Sequence, residues 1–118
     1  MQWLLVFIGG GLGALLRFGV AAIVAKWWNH LFPLATLLSN VFACLILGFT
    51  IAVLRDKVQN SELWYTFMVI GICGGFSTFS SFAKENLELF EKGNYVIAVL
   101  NIVISVSLCI AAVYIARK

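Results

Sequence analysis

The sequence predicts an all-α integral membrane protein of four transmembrane helices with a break in the third. Hydrophobic residues make up 63% of the 118 residues, charged residues only 11%, and the mean hydropathy is +1.04, whereas soluble domains carry about 25% charged residues. Four apolar stretches nearly fill the chain, each near the length of about 20 residues that a bilayer core of roughly 30 Å requires. A run of glycines and hydroxyl residues interrupts the third. We therefore expect residues 1–118 to form a single membrane domain.

The four predicted helices are separated by short polar turns. They span residues of about 3–25, 33–54, 62–90 and 95–116, and the break in the third lies near 74–78. The first helix lacks a basic start and carries Arg17 inside it, which is not typical of a cleaved signal peptide. We expect it to remain in the mature protein.

Basic residues are distributed almost evenly between the two sides of the predicted domain. Four spans place both termini and the second turn on one side, with four basic residues: Arg55, Lys57, Arg117 and Lys118. The opposite side has three: Lys26, Lys84 and Lys92. Arg17 is not counted because it lies within a span. Since loop lysines and arginines set orientation, two alternatives stay open: one orientation with a weak signal, or insertion both ways and pairing with an inverted copy.

The sequence offers few side chains for binding metals or nucleic acids. Cys44, Cys73 and Cys109 lie inside predicted helices without a CxxC motif, so we interpret them as apolar structural residues. His30 is the only histidine and lies in a turn. We therefore expect no metal site built from side chains. The net charge of +3 is modest flank charge, and nothing indicates nucleic-acid binding.

Small residues and one arginine distinguish the first helix. Gly9 and Gly13, like Gly10 and Ala14, are four residues apart, a spacing at which two helix backbones can approach closely. We interpret this spacing as helix packing. Arg17 lies about 15 residues into the span and must snorkel, pair or face water. Two roles stay open for it: lining an aqueous vestibule that draws anions, or anchoring the helix at a thinned interface.

Polar side chains also occur within the second and fourth helices. Thr36 and Asn40 are four residues apart and share one helix face. Because an asparagine against lipid is costly, Asn40 must bond to another helix or line a pore, and the spacing alone favours helix bonding. In the fourth helix, Asn101, Ser105 and Cys109 form a thin polar stripe.

The run GGFSTFSSF, from Gly74 to Phe82, lies where the third helix should cross the bilayer midplane. Adjacent glycines followed by hydroxyl residues form helices poorly, so the sequence predicts a break. Non-helical backbone at that depth persists only where protein buries it or where it lines a cavity, and its free carbonyls and amides can hold ions. The alternative is an inert kink whose hydroxyls bond to their own backbone.

An aromatic pattern overlaps this break. Phe76, Phe79 and Phe82 recur every three residues, which predicts one shared helix face. Aromatic ring edges carry partial positive charge, so together with hydroxyl donors they can coordinate a small dehydrated anion. Glu85 follows one turn later. Two roles are open for it, a residue at a pore entrance or the interfacial end of the helix, and its position alone favours the second.

These motifs resemble those of the Fluc family of fluoride-specific channels, also called CrcB proteins. The segment GGGLGALLRF at 9–18 is similar to the family's GGxxGAxxR start, and Thr36 with Asn40 matches its TLxxN element. The segment GGFSTFSSF at 74–82 resembles its GGFTTFSTF signature. The three motifs occur in three helices in the family's order, and the chain length also fits.

The resemblance implies an antiparallel, dual-topology homodimer that crosses the lipid bilayer of the inner (plasma) membrane. Backbone carbonyls of Gly74 and Ser77 would hold a structural sodium ion at the dimer centre, flanked by two fluoride pores. The residues implied at the pores are Phe79, Phe82, Asn40, Ser80, Ser105, Thr36, Glu85 and Arg17.

The implied roles differ among these residues, and the chain departs from the family pattern at a few positions. Phe79 and Phe82 match the family's aromatic box, Arg17 its vestibule arginine, and Glu85 a glutamate near one pore end. Ser77 and Ser81 replace signature threonines, and Asn101 stands where some members have a pore-facing tyrosine.

The implied function is passive fluoride efflux, which lowers cytoplasmic fluoride and gives fluoride resistance. The alternative is a small multidrug-type proton-coupled exporter, which needs a carboxylate buried within a span. Spans one and two contain no Asp or Glu, and Glu62 and Glu85 lie toward the ends of span three. No nucleophile, base and orienting group occur together, so we do not expect an enzyme.

Overall fold

The computed structural model describes residues 1–55 and 61–118, and these form helices joined by turns. Four helices are long and apolar enough to cross a membrane: α1 (Gln2–Val24), α2 (Leu34–Leu54), α3 (Ser61–Glu91) and α4 (Tyr95–Ala116). The prediction of an all-α protein with four membrane-spanning helices is confirmed. Residues 56–60, which include Lys57 and most of the predicted second turn, lie outside the described residues.

α3 is the helix that breaks. It begins as an α-helix over Ser61–Tyr65, widens to a π-helix over Thr66–Cys73 and returns to an α-helix over Gly74–Phe76. The α-helix Phe79–Glu91 follows. We term Ser61–Phe76 the first half of α3 and Phe79–Glu91 the second half. The two residues between them have extended backbone, with φ −78° and ψ 156° at Ser77 and φ −150° and ψ 112° at Thr78. The extended stretch is thus shorter than the predicted 74–78, because Gly74–Phe76 continues the first half of α3.

Glycines bring α1 and the first half of α3 into backbone contact. A Cβ added to Gly9 would lie 2.7 Å from the carbonyl oxygen of Phe67, and one added to Gly71 would lie 2.9 Å from the Cα of Gly9. Gly75 likewise lies against the backbones of Gly10 and Ala14. Only residues without a side chain permit such an approach. The small residues of the first helix therefore serve helix packing, as the spacing predicted, and Gly75 belongs to the same contact.

α2 packs along α4 on the other side of the molecule. A Cβ added to Gly48 would lie 2.6 Å from the carbonyl oxygen of Val113. A small buried core of Ala43, Cys73 and Phe76 joins α2 to α3. α2 therefore contacts α4 and the first half of α3, and α4 in turn contacts the second half of α3.

The outer surface is largely apolar. Large side chains such as Trp3, Phe7, Leu15 and Phe18 project from α1 with more than two-thirds of their surface exposed. A continuous apolar exterior is unfavourable in water, but it meets hydrocarbon favourably in a bilayer. The fold is therefore suited to a membrane.

The second half of α3 ends in a glycine turn. Gly93 has a φ of 81°, in the left-handed region that favours glycine. The amides of Gly93 and Asn94 donate to the carbonyls of Phe90 and Leu89, at 3.1 Å and 2.8 Å. These bonds close the helix end and lead the chain into α4.

Candidate functional site

Asn40 of α2 satisfies the polar backbone at the break in α3. The amide N–H of Thr78 donates to Asn40 Oδ1 at 2.7 Å, and Asn40 Nδ2 donates to the carbonyl oxygen of Thr78 at 3.4 Å. Thr78 itself is buried. Extended backbone at membrane depth has no helical partners, so a side chain that supplies both an acceptor and a donor lets it persist. Asn40 was predicted to bond another helix or line a pore, and it bonds another helix here.

Hydroxyl groups complete both ends of the break. Ser77 donates from its backbone amide and its Oγ to the carbonyl oxygen of Cys73, at 2.9 Å and 2.8 Å. Thr78 Oγ1 accepts from the amide of Ser81 at 3.1 Å and lies 3.3 Å from Ser80 Oγ, which makes Thr78 the N-cap of the second half of α3. Ser77 thus ends one helix and Thr78 starts the next.

The break changes which carbonyls are free. In a continuous helix the amide of Thr78 would donate to the carbonyl of Gly74, four residues earlier. Here that amide bonds to Asn40 instead. The carbonyl of Gly74 therefore lacks its helical donor, and that of Ser77 lies in extended backbone.

Two clefts lie on either side of the break, and Thr78 lines both. The first, which we term the polar cleft, has a volume of about 430 Å³ and is lined by α1, α2 and α3. Its polar lining residues are Arg17, Thr36, Ser39, Thr78, Ser81 and Glu85. The second, which we term the aromatic cleft, has a volume of about 250 Å³. Its lining residues are Asn40, Cys44, Ser77, Thr78, Phe79, Phe82, Ser105, Val106 and Cys109.

Charged side chains of both signs face the polar cleft. Arg17 comes from α1 and Glu85 from the second half of α3, and Thr36 of α2 lines the same cleft. Oε1 of Glu85 is buried without a hydrogen-bond partner among the described residues. Within that same part of the chain, Arg17 forms no ion pair. The cleft therefore brings together three of the predicted site residues, with a cationic group left available to an anion.

The phenylalanines do not share one environment. Phe79 is 79% exposed and Phe82 is half-buried, and their rings lie 5.7 Å apart at 43°. Phe76, in contrast, is 5% exposed and packs in the core against Ala43. The prediction that all three share one helix face is wrong for Phe76, because the extended residues after it turn the chain before Phe79 begins the next helix.

The polar stripe of α4 continues onto α3. Asn101 Nδ2 donates to Asn86 Oδ1 at 2.9 Å, and Ser105 Oγ donates to Asn101 Oδ1 at 3.0 Å. All three residues are buried. Asn86 was not singled out from the sequence, although an amide on the buried face of an amphipathic helix was the available signal. Ser105 carries this chain of hydrogen bonds to the aromatic cleft.

Two predicted residues lie outside both clefts. Ser80 and Gly74 are exposed and do not belong to either lining. Ser80 Oγ lies 3.3 Å from Thr78 Oγ1, and Gly74 lies on the outer side of α3. The structure thus brings together Arg17, Thr36 and Glu85 on one side of the break and Asn40, Ser77, Phe79, Phe82 and Ser105 on the other.

The sequence that forms this broken helix and the two clefts is similar to that of known proteins over almost its whole length. The family model described as "CrcB-like protein, Camphor Resistance (CrcB)" matches residues 4–117. The chain belongs to the CrcB family. The match covers all four spans, so the family assignment rests on the whole membrane domain.

Relatives of this CrcB-family chain carry the name "Fluoride-specific ion channel FluC". The protein of Coxiella burnetii (strain CbuK_Q154) is 37% identical over 115 residues, which are 97% of this chain and 93% of the relative. That of Pyrococcus abyssi is 41% identical over 111 residues, 94% of this chain and 89% of the relative. That of Azobacteroides pseudotrichonymphae is 39% identical over 109 residues, which are 92% of this chain and 87% of the relative. Neither the family nor these relatives favour the multidrug-type exporter.

Proposed function

We propose that this chain is a fluoride-selective ion channel that mediates passive fluoride efflux, lowers cytoplasmic fluoride and gives fluoride resistance. Its near full-length likeness to proteins named fluoride-specific ion channels carries the proposal. The two clefts that meet at Thr78 supply a physical basis, because both contain neutral donors without a continuous acidic lining.

The lining suits a small, strongly hydrated anion. Fluoride must exchange its water for close donors, since an anion stripped of water without replacement is very costly in an apolar medium. Hydroxyls of Thr36 and Ser81 and the cationic Arg17 occur in the polar cleft. Ring edges of Phe79 and Phe82 follow in the aromatic cleft, where their partial positive charge attracts an anion without binding it permanently.

Passive exit accounts for fluoride resistance by elementary acid–base chemistry. Fluoride enters a cell as its neutral acid, dissociates at neutral pH and accumulates as the anion. An inside-negative potential then drives the anion outward at about 2.3 kcal/mol per 100 mV. A channel in the plasma membrane therefore lowers cytoplasmic fluoride without another energy source.

We further propose an antiparallel homodimer with a sodium ion at its centre. The nearly even distribution of basic residues is compatible with insertion in both orientations. Gly74, Phe79 and Ser80 are exposed on a single protomer, although they flank a polar break at membrane depth. A second copy seated there would cover these residues, because non-helical backbone in a bilayer must be buried or line a cavity.

The residues predicted to hold sodium fit such an ion. The carbonyl of Gly74 has lost its helical donor to Asn40, and that of Ser77 lies in extended backbone, so both oxygens are available. Hard cations prefer oxygen ligands of this kind. A bound sodium ion would supply fixed positive charge at the centre of the dimer.

Ion flux from liposomes tests the channel. Purified protein would be reconstituted in vesicles loaded with fluoride or with chloride, and efflux would be started by a potassium-valinomycin potential and followed with an ion-selective electrode. We expect rapid fluoride efflux and chloride efflux no faster than from protein-free vesicles. Equal rates for the two anions would exclude fluoride selectivity, and efflux that requires a proton gradient would favour the exporter.

A further inference from the structure

We propose that Cys44 and Cys109 form a two-thiolate binding site for a soft, thiophilic metal ion beside the aromatic cleft. The two residues lie on α2 and α4, which pack along each other, and they come together in the lining of one cavity. Both are free and partly exposed, and both line the aromatic cleft. A metal ion in that cleft would therefore have two cysteines from different helices within its surroundings.

The third cysteine differs from this pair. Cys73 is 6% exposed and packs in the core against Ala43 and Phe76. It is not among the residues that line the aromatic cleft. The interpretation of the cysteines as apolar packing residues thus suits Cys73, whereas Cys44 and Cys109 are partly exposed and line a cavity.

The surroundings of the pair determine which metals it can take. Within residues 1–55 and 61–118, no three His, Cys, Asp or Glu side chains come together as ligands. The other polar side chains of the cleft, Asn40, Ser77, Thr78 and Ser105, offer only neutral oxygens, and the Asn40 oxygen already accepts from Thr78. Zinc requires four ligands, so the two cysteines alone do not complete its coordination. Soft ions that accept two sulfur ligands match the site better.

Charge balance favours a divalent ion of this class. On binding, each thiol loses its proton to water, and two metal–sulfur bonds form without oxidation or reduction. Two thiolates with a divalent ion give a neutral complex, whereas a monovalent ion leaves one negative charge. Because the cleft lies within the membrane-spanning region, where net charge is costly, the neutral complex is favoured. Mercuric ion is the matching probe.

Occupation of the site has a consequence that rests on the proposed function. Cys44 and Cys109 share the aromatic cleft with Phe79 and Phe82. A metal ion bound between the thiols would fill part of a cavity of only about 250 Å³ and would hold the two cysteine side chains in place. Fluoride efflux would then fall while the metal is bound.

Metal retention against a competing monothiol tests the site directly. The full-length protein in detergent would be loaded with mercuric chloride, washed with excess free cysteine and analysed for bound mercury. Two protein thiols held together outcompete separate monothiols by effective concentration, whereas one thiol does not. We expect one mercury per chain in the unaltered protein and in Cys73→Ser, and loss of the metal in Cys44→Ser and in Cys109→Ser. Retention by either of these two variants, or none by the unaltered protein, would overturn the site.

A second measurement needs no substitution. Mercury-loaded and unloaded protein would be treated with N-ethylmaleimide and mapped by peptide mass spectrometry. We expect loading to protect Cys44 and Cys109 together, and protection of only one of them would contradict a shared ion.

Fluoride efflux is measured separately, so that failure of the site and failure of the proposed function can be told apart. If mercury is retained but no preparation conducts fluoride, the proposed function fails and the site stands. If fluoride flows and mercury is not retained, the site fails alone.

Discussion

Asn40 hydrogen-bonds to both backbone polar groups of Thr78, which lies 38 residues later in the chain. One side chain from α2 therefore holds the extended backbone that divides α3. The same side chain lines the aromatic cleft. Structural support and a lining position coincide in one residue, so its substitution affects both stability and ion flux.

Asn40→Ala should destabilise the protein, because the buried amide and carbonyl of Thr78 would lose their partners. An unsatisfied buried polar group costs about 1–3 kcal/mol. We expect a lower midpoint of thermal unfolding in detergent and a loss of fluoride efflux. Ser107→Ala, which removes an exposed hydroxyl from α4, should change neither. Equal thermal stability of Asn40→Ala and the unaltered protein would show that the break does not depend on this side chain.

Phe79→Ile and Phe82→Ile should slow fluoride efflux without unfolding the protein. Isoleucine retains an apolar side chain but lacks the positive ring edge. If that edge contributes about as much as an aromatic pair does, about 0.5–1.5 kcal/mol, efflux from liposomes should be roughly 2- to 13-fold slower. Phe76→Ala is the contrasting variant, since it leaves a cavity in the core and should cost about 3–5 kcal/mol in the free energy of unfolding. Unchanged fluoride efflux in both isoleucine variants would show that the two rings serve packing and not conduction.

Gly9→Ala should weaken the contact between α1 and α3. Its new methyl group would lie 2.7 Å from the carbonyl oxygen of Phe67, and crowding of this kind costs about 1–3 kcal/mol. Gly11→Ala is the matched control, because none of the residues that the structure describes lies within 4 Å of the added carbon and alanine favours a helix. Thermal unfolding of the two variants side by side measures the difference. A Gly9→Ala protein as stable as Gly11→Ala would mean that the helices can separate at no cost.

Arg17→Gln decides between the two roles left open for this arginine. If Arg17 draws anions into the polar cleft, its loss should reduce fluoride efflux roughly 10-fold at low ionic strength, and the difference should shrink as salt screens the charge. Lys26→Gln removes the same charge from an exposed turn and should have a much smaller effect. Efflux that is unchanged at every salt concentration would identify Arg17 as an interfacial anchor.

Much of the architecture follows from local properties of the sequence. The four spans are readable because transfer to hydrocarbon depends on the composition of about 20 consecutive residues. The spacing of Gly9 and Gly13 is also a local property. Residues four apart lie on one face of a helix, so two glycines at this spacing indicate a close helix contact. The break was expected near 74–78 because glycines and hydroxyl residues favour non-helical backbone.

Other features depend on which residues meet across the fold, and the tertiary structure alone decided them. Three such features join different helices: the bond from Asn40 to Thr78, the bond from Asn101 to Asn86, and the cleft that Cys44 and Cys109 share. Helical periodicity predicted one face for Phe76 and Phe79, but periodicity holds only while the helix is continuous. Two extended residues end that continuity, so Phe76 packs in the core and Phe79 lies exposed at a cleft. The direction of the chain after the break is set by the hydrogen bonds that satisfy Thr78, which depend on a helix distant in sequence.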